Sequence, residues 1–158
     1  MRWSQLKSRV ESGFAVSVKG RVEVWSTRYR RAVHRFGEAW ITIDGQKVVT
    51  MGTLRSENEY HKTGGSLLDA TRTIHDRGVF SSWDLNRSLF VYLNLNIEDA
   101  WNSENAIIRA FAVLDRRFGK RRLAGLEVRS QHPLVEQFAF FRCQAEGIAI
   151  TSSKADAA

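Results

Sequence analysis

The sequence predicts an α+β fold, in which an N-terminal helix and a three- to four-stranded antiparallel sheet precede a helical C-terminal half packed on the sheet. Three observations support this prediction. β-Branched and aromatic residues dominate residues 20–54, Asp44-Gly45 is typical of a two-residue hairpin turn, and apolar residues beyond residue 66 recur at helical spacing. We therefore expect a single domain over residues 1–150, followed by a flexible tail over residues 151–158.

The first predicted element is an amphipathic helix over residues 2–13, where Trp3, Leu6 and Val10 recur at three- and four-residue spacing. Gly13 is a typical C-terminal stop for such a helix. Three strands are predicted to follow, because β-branched and aromatic residues outnumber helix formers there, and they cover residues 20–30, 39–43 and 46–54.

The hairpin turn sets the register of the second and third strands. If Asp44-Gly45 is a two-residue loop, the predicted cross-strand pairs are Ile43–Gln46, Ile41–Val48 and Trp40–Val49. Ile41 and Val48 then face the core, while Trp40 and Val49 make the opposite face apolar as well. A sheet that is apolar on both faces needs two covers, so we expect a further helix or a second subunit on the second face.

The C-terminal half is expected to begin after residues 55–66, which are polar, contain Gly64-Gly65 and are predicted to form a loop between residues 1–54 and 67–150. Ser82 is a candidate N-cap for a helix of this half. Further helices are predicted over residues 97–101, 104–118 and 133–146. The stretches that begin at Asn105 and His132 align at an offset of 27 residues. This similarity indicates either two amphipathic helices with similar core chemistry, which we favour, or a degenerate repeat.

The composition is that of a folded protein that needs no metal or disulfide for stability. Hydrophobic residues make up 43% of the 158 residues, and a chain of this length buries about two thirds of its surface on folding. The single cysteine, Cys143, cannot form an intramolecular disulfide, and we expect a buried, unreactive thiol. Because neither a signal peptide nor an apolar run of about 18 residues is present, we expect a cytoplasmic protein with no membrane partner.

The net charge of +7 is concentrated in two basic segments, residues 1–35 with a net charge of +7 and residues 106–125 with +5. The intervening residues 36–105 carry a net charge of −4, and the residues after 125 carry −1. Localised positive charge attracts anionic partners. We therefore expect a non-catalytic binding protein whose basic segments meet an anionic ligand, a nucleic acid or an acidic protein. The alternative is a solvated basic face that serves solubility.

In the first basic segment, Arg28 and Arg30 lie on one face of the predicted strand, and Arg31 follows in the loop. Two guanidinium groups about 7 Å apart could hold a phosphate or a carboxylate. Aromatic residues among the arginines are also typical of proteins that bind single-stranded nucleic acid. The equally supported alternative is an edge strand whose charges protect it from aggregation.

The second basic segment supplies the other candidate anion-binding residues, which are Arg116, Arg117, Lys120, Arg121 and Arg122. They surround the predicted C-terminus of the helix over residues 104–118, where a cation is favoured by about 0.3–1 kcal/mol. Five cations exceed what helix capping requires, so we expect an anionic partner or an acidic surface of a neighbouring subunit. In the alternative, Asp115 pairs with an arginine and orders the turn.

The residues offer little for catalysis or metal binding. None of the four histidines has a second His or a Cys at metal-ligand spacing, so we predict no metal site and no cofactor. A small enzyme acting on an anionic metabolite is the rival hypothesis, with Arg28 and Arg30 as the substrate clamp. His34 or His75, the latter next to Asp76, would then be the acid–base group. A third hypothesis is a homodimer that buries the apolar sheet faces.

Four stretches of the chain resemble a family of small uncharacterised bacterial proteins, namely Arg2-Trp-Ser4, Ser26-Thr-Arg-Tyr-Arg30, Trp40-Ile-Thr-Ile-Asp-Gly45 and Leu114-Asp-Arg-Arg-Phe-Gly-Lys-Arg-Arg-Leu123. The resemblance covers most of the chain. It implies no catalytic residue, cofactor or substrate. Proteins of this size also occur among integron gene cassettes, which is the origin that we expect.

Overall fold

The computed structural model describes residues 1–28 and 37–150, apart from the side chains of Arg28 and Ser130. Helix α1 (Trp3–Ser12) precedes an antiparallel sheet in the order β1-β2-β3, formed by β1 (Val22–Arg28), β2 (Gly37–Ile43) and β3 (Gln46–Gly52). The other helices are α2 (Thr53–Thr63), α3 (Leu67–Asp76), α4 (Ser82–Tyr92), α5 (Ile97–Trp101), α6 (Ala106–Leu114), α7 (Lys120–Ala124) and α8 (Pro133–Glu146). The predicted α+β fold class is confirmed.

The β2–β3 hairpin turns at Asp44 and Gly45, whose φ angles of 50° and 80° are the positive values that a type I′ turn requires. Ile43 pairs with Gln46, as predicted. Beyond that pair the predicted register is wrong, because a β-bulge between Ile41 and Thr42 shifts the pairing by one residue. The observed partners are Val49 for Ile41 and Thr50 for Trp40.

The two faces of the sheet differ in their side chains. Val24, Ile41 and Met51 are fully buried on the inner face. On the outer face, the stacked rings of Trp25 and Trp40 have centroids 6.4 Å apart. The ammonium groups of Lys7 and Lys47 lie 4.3 Å and 4.2 Å from the centroids of Trp25 and Trp40, respectively. The predicted place of Val49 beside Trp40 on the outer face is wrong, because Val49 pairs with Ile41 of the inner face. The tryptophans of the outer face are partly sheltered by the cation–π contacts.

Helix α1 shields the open edge of strand β1. The backbone N–H of Val24 donates to Glu11 Oε1 at 2.8 Å, and Lys7 Nζ donates to the same carboxylate oxygen at 2.5 Å. Glu11 thus occupies a backbone donor that would otherwise be available for pairing with another strand.

Helix α6 lies at the centre of the helical half, and its residues from Ala110 to Leu114 are fully buried. The Phe111 ring contacts the rings of Phe14, Tyr92 and Phe138, with centroids 6.0–6.2 Å apart. Helix α6 is shorter than the predicted helix over residues 104–118, because Asp115 adopts an extended conformation with ψ of 139°.

Helices α5 and α8 have their predicted bounds, and Gly147 ends α8 with the predicted left-handed conformation. The predicted loop over residues 55–66 is wrong, since most of it forms α2 and only Gly64 and Gly65 break the chain. Thr53 is the only buried residue of α2, so this helix lacks the apolar periodicity that reveals a helix in sequence. The N-cap of α4 is Ser81, while the predicted cap, Ser82, is buried within the helix.

Within the described part of the chain, no helix combines the length and the apolar character that crossing a bilayer requires.

Replacing Gly45 with alanine should lower the free energy of unfolding by about 1–2 kcal/mol, because alanine is strained at the positive φ of the hairpin turn. Urea denaturation of the purified variants measures this difference. The matched control is Gly125→Ala, where φ is −89° and an added Cβ makes only ordinary contacts. Equal losses in the two variants would contradict this account of the turn.

Candidate functional site

The five candidate anion-binding residues of the second basic segment lie in the turn after α6 and in α7. The turn pairs with the chain that follows α1, because Ala15 N–H donates to Leu114 O at 2.8 Å and Arg116 N–H donates to Gly13 O at 3.0 Å. Lys120 and the two arginines that follow it open helix α7. The predicted position of all five cations around a helix C-terminus is therefore wrong for these three, because α6 already ends at Leu114.

Arg117 is held by the buried carboxylate of Asp115. Its Nη2 donates to Asp115 Oδ2 at 2.7 Å, and its backbone N–H donates to Oδ1 at 2.8 Å. The Tyr92 hydroxyl donates to the same carboxylate. Burial disfavours ionisation of Asp115, but the hydrogen bonds from Arg117 and Tyr92 outweigh it and hold the pKa of this carboxyl below its usual value. The alternative in which Asp115 pairs with an arginine and orders the turn is thus confirmed for Arg117.

Two more cations of the segment also pair with carboxylates. Arg122 Nη2 donates to Glu98 Oε1, and the guanidinium lies 5.2 Å from the centroid of Phe118. Lys120 Nζ lies 2.8 Å from Glu146 Oε2. Arg116 and Arg121 are exposed and have no ion-pair partner within the described residues.

A cavity of about 590 Å³ opens beside this segment. We call it the Arg142 pocket, and it is lined by Ala15, Val16, Ser17, Arg116, Gly119, Lys120, Arg142, Ala145 and Glu146. Its lining contains three cations and one carboxylate, a formal net charge of +2. Arg116 and Lys120 are thus the two sequence-predicted site residues that the structure brings to one cavity.

Arg142 is the most deeply buried cation of this pocket, with 2% of its surface exposed. Its Nη1 donates to Val113 O in the last turn of α6 and to Asp115 O, which also accepts the backbone N–H of Phe118 at 3.0 Å. Its Nε forms an ion pair with Glu146 Oε1 at 3.6 Å, which is too long for a hydrogen bond, so Nε has no hydrogen-bond partner among the described residues. Burial lowers the pKa of Arg142, although an arginine side chain stays charged in proteins.

Glu146 is the carboxylate in the pocket, and only 6% of its side chain is exposed. Its Oε1 accepts a hydrogen bond from Ser17 Oγ at 2.7 Å. The hydrogen bond from Lys120 outweighs the effect of burial, and together with that from Ser17 it lowers the pKa of the Glu146 carboxyl. Sequence reasoning missed both Arg142 and Glu146. The signal that could have found them is an arginine inside the apolar run from Phe138 to Cys143 with an acid four residues later.

The first basic segment is only partly covered by the described residues. Arg28 ends β1 and pairs with Gly37, and its side chain is not described. Arg30, Arg31 and His34 lie outside the described residues. The shared anion-binding face of Arg28 and Arg30 therefore stays a prediction.

His75 lines a second cavity, of about 380 Å³, together with Phe80, Asp84, Arg109 and His132. Its Nε2 lies 3.3 Å from Asp84 Oδ2, so Asp84 rather than the adjacent Asp76 is its carboxylate partner. Burial disfavours ionisation of Asp84, but hydrogen bonds from His75 and from Ser81 outweigh it and lower its pKa.

His132 positions the backbone of His75. Its Nδ1 accepts the N–H of Leu134 at 3.1 Å and caps α8, which leaves Nε2–H to donate to His75 O at 2.8 Å. Over the residues that the structure describes, no group of three or more His, Cys, Asp or Glu side chains is arranged to hold a metal ion.

Replacing Asp115 with asparagine should lower the free energy of unfolding at pH 7 by about 2–3 kcal/mol, because Arg117 loses its counter-charge while Tyr92 keeps an acceptor. Since the pKa of Asp115 is lower in the folded state, its stabilisation is complete above the unfolded pKa of about 3.9. It is lost as the pH falls through the folded-state pKa. The deficit of the variant should therefore shrink in acid.

Urea denaturation at pH 7 and at pH 3 tests this prediction. Asp44→Asn is the matched control, because Asp44 pairs with Arg21 at the exposed hairpin turn and asparagine tolerates its positive φ. We expect little change in that variant. A deficit for Asp115→Asn that is equal at both pH values would contradict the role of the carboxylate charge.

Comparison with known proteins identifies the family of this chain. A search of curated proteins and a search of solved structures each found no match. One family model, that of the SF0329 protein family, matches residues 2–143, which span the N-terminal helix, the sheet and most of α8. The chain therefore belongs to the SF0329 protein family, an uncharacterised family.

Proposed function

We propose that this protein binds a compact anionic group, a phosphate or a carboxylate, in the Arg142 pocket, and that it is a binding protein rather than an enzyme. One observation carries the proposal. The guanidinium of Arg142 is buried, its Nε has no hydrogen-bond partner among the described residues, and it lines a cavity with Arg116 and Lys120. A buried donor without a partner is energetically costly, and an anion in the pocket would satisfy it.

The charges of the second basic segment support a compact anion more than a nucleic acid. Proteins that bind single-stranded nucleic acid follow the backbone with a positively charged groove. Here Arg117, Lys120 and Arg122 already pair with carboxylates of the same chain. The carboxylates of an acidic protein are a further possible ligand of Arg116. The homodimer stays a prediction from the sequence.

Inorganic phosphate should bind saturably, with shifts of the backbone amide resonances of Ser17 and Gly119 that follow one binding curve. Replacing Arg116 with glutamine should weaken this binding about fivefold, the loss of one partly solvated charge contact of ~1 kcal/mol. NMR titration at constant ionic strength measures the effect. Arg116 is the variant of choice, because Arg142 also caps α6 and its removal would disturb the fold.

Arg121→Gln is the matched control, because Arg121 is exposed on α7 and does not line the pocket. Its affinity for phosphate should equal that of the wild type. Equal weakening by both substitutions, or shifts that never saturate, would contradict the pocket. Tighter and strongly salt-dependent binding of a single-stranded oligonucleotide, reduced equally by both substitutions, would favour the nucleic-acid alternative.

Acid–base catalysis is a second candidate function, because His75 and Asp84 form a paired imidazole and carboxylate beside a cavity that Arg109 also lines. We propose for this candidate that Arg109 holds the anionic group of a phosphate monoester in the cavity, and p-nitrophenyl phosphate is the probe. Water then attacks phosphorus, the imidazole accepts its proton and p-nitrophenolate leaves. His75→Gln should lower that rate about 100-fold, while His61→Gln, outside the cavity, should not change it. Activity that is absent, or equal in both variants, would reject this candidate.

A further inference from the structure

We propose that Glu146 is an internal competitor for the Arg142 pocket, and that the ligand's carboxylate or phosphate binds by displacing the Glu146 carboxylate. This inference rests on the proposed function. It adds that the pocket already contains an anionic group of the protein itself, which the ligand replaces.

Glu146 holds the donors that an external anion would use. Ser17 Oγ donates to Oε1 at 2.7 Å, and Lys120 Nζ lies 2.8 Å from Oε2. The carboxylate also faces Arg142 Nε, but 3.6 Å is too long for a hydrogen bond. Glu146 thus satisfies two donors of the pocket and leaves the buried third one unfilled.

The position of Glu146 on its helix also favours its displacement. It is the last residue of α8, and the left-handed Gly147 follows it. The C-terminal end of a helix carries partial negative charge from its unpaired carbonyl groups, which disfavours a carboxylate there. Glu146 is therefore held at this end by its partners in the pocket, and a competing anion that takes those partners also relieves this repulsion.

The donors of the pocket define the chemical class of the ligand. The group to be displaced is a single carboxylate with two acceptor oxygens. Its replacement must accept hydrogen bonds from Ser17, Lys120 and Arg142 Nε at once, which a carboxylate or a phosphate can do. The phosphate group offers a third acceptor oxygen, so we expect phosphate to bind more tightly than acetate.

The variant Glu146→Gln tests the competition. Glutamine keeps an acceptor for Ser17 but removes the negative charge, so phosphate should bind about fivefold more tightly than to the wild type. Acetate should gain affinity as well, and the two titrations show which head group the pocket prefers. Glu57→Gln is the matched control, because it removes the same charge from an exposed position on α2.

A measurement on the wild type makes the test independent of how the variant folds. The side-chain carboxyl ¹³C resonance of Glu146 should move with phosphate concentration along the same curve as the Gly119 amide. A Glu146 resonance that stays fixed while Gly119 saturates would overturn the competition and leave the proposed function intact. Unchanged or weaker phosphate binding by a folded Glu146→Gln variant would do the same. Absence of saturable binding in both proteins would overturn the inference and the proposed function together.

Discussion

Helix α6 ends inside the core, where protein donors replace water at its last carbonyl groups, and one of these donors is the buried guanidinium of Arg142. By donating to Val113 O and Asp115 O, Arg142 couples the ends of the two helices that pack at the centre of the helical half. The turn that follows presents Arg116 at one side and directs the Asp115 carboxylate toward Tyr92 on the other. A cation outside the second basic segment therefore helps to hold the turn that carries Arg116.

The local net charge of residues 106–125 overstates the charge available to a partner. Arg117, Lys120 and Arg122 each pair with a carboxylate, and two of these carboxylates, Glu98 and Glu146, come from other segments of the chain. Much of the segment's positive charge thus orders the turn and joins α7 to its neighbours. Few cations of the segment remain without an ion-pair partner among the described residues, and one of them, Arg116, lines the same pocket as the buried Arg142. This arrangement favours recognition of a compact anion over a long polyanion.

The similarity between the stretches that begin at Asn105 and His132 has a structural counterpart. Each of these residues caps its helix with the same bond, because each side chain accepts the N–H of the residue two positions later. The correspondence reaches Asp115 and Arg142, which occupy equivalent places 27 residues apart, and there the chemistry diverges. The guanidinium of Arg142 donates to the carbonyl oxygen of Asp115. The two stretches therefore contact each other at the position where their sequences diverge.

Local interactions made several elements predictable from the sequence. Asp44-Gly45 determines the hairpin turn through its backbone preferences, and Pro133 and Gly147 mark the ends of α8, because such signals act within a few residues. The bulge after Ile41 and the polar helix α2 were not predictable, since tertiary packing decides both. The same holds for the site: Arg116 and Lys120 are evident as basic residues, but Ser17 and Glu146 meet across 129 positions. Only the fold decides which charges are buried, paired or left free, because desolvation and ion pairing depend on distance in space.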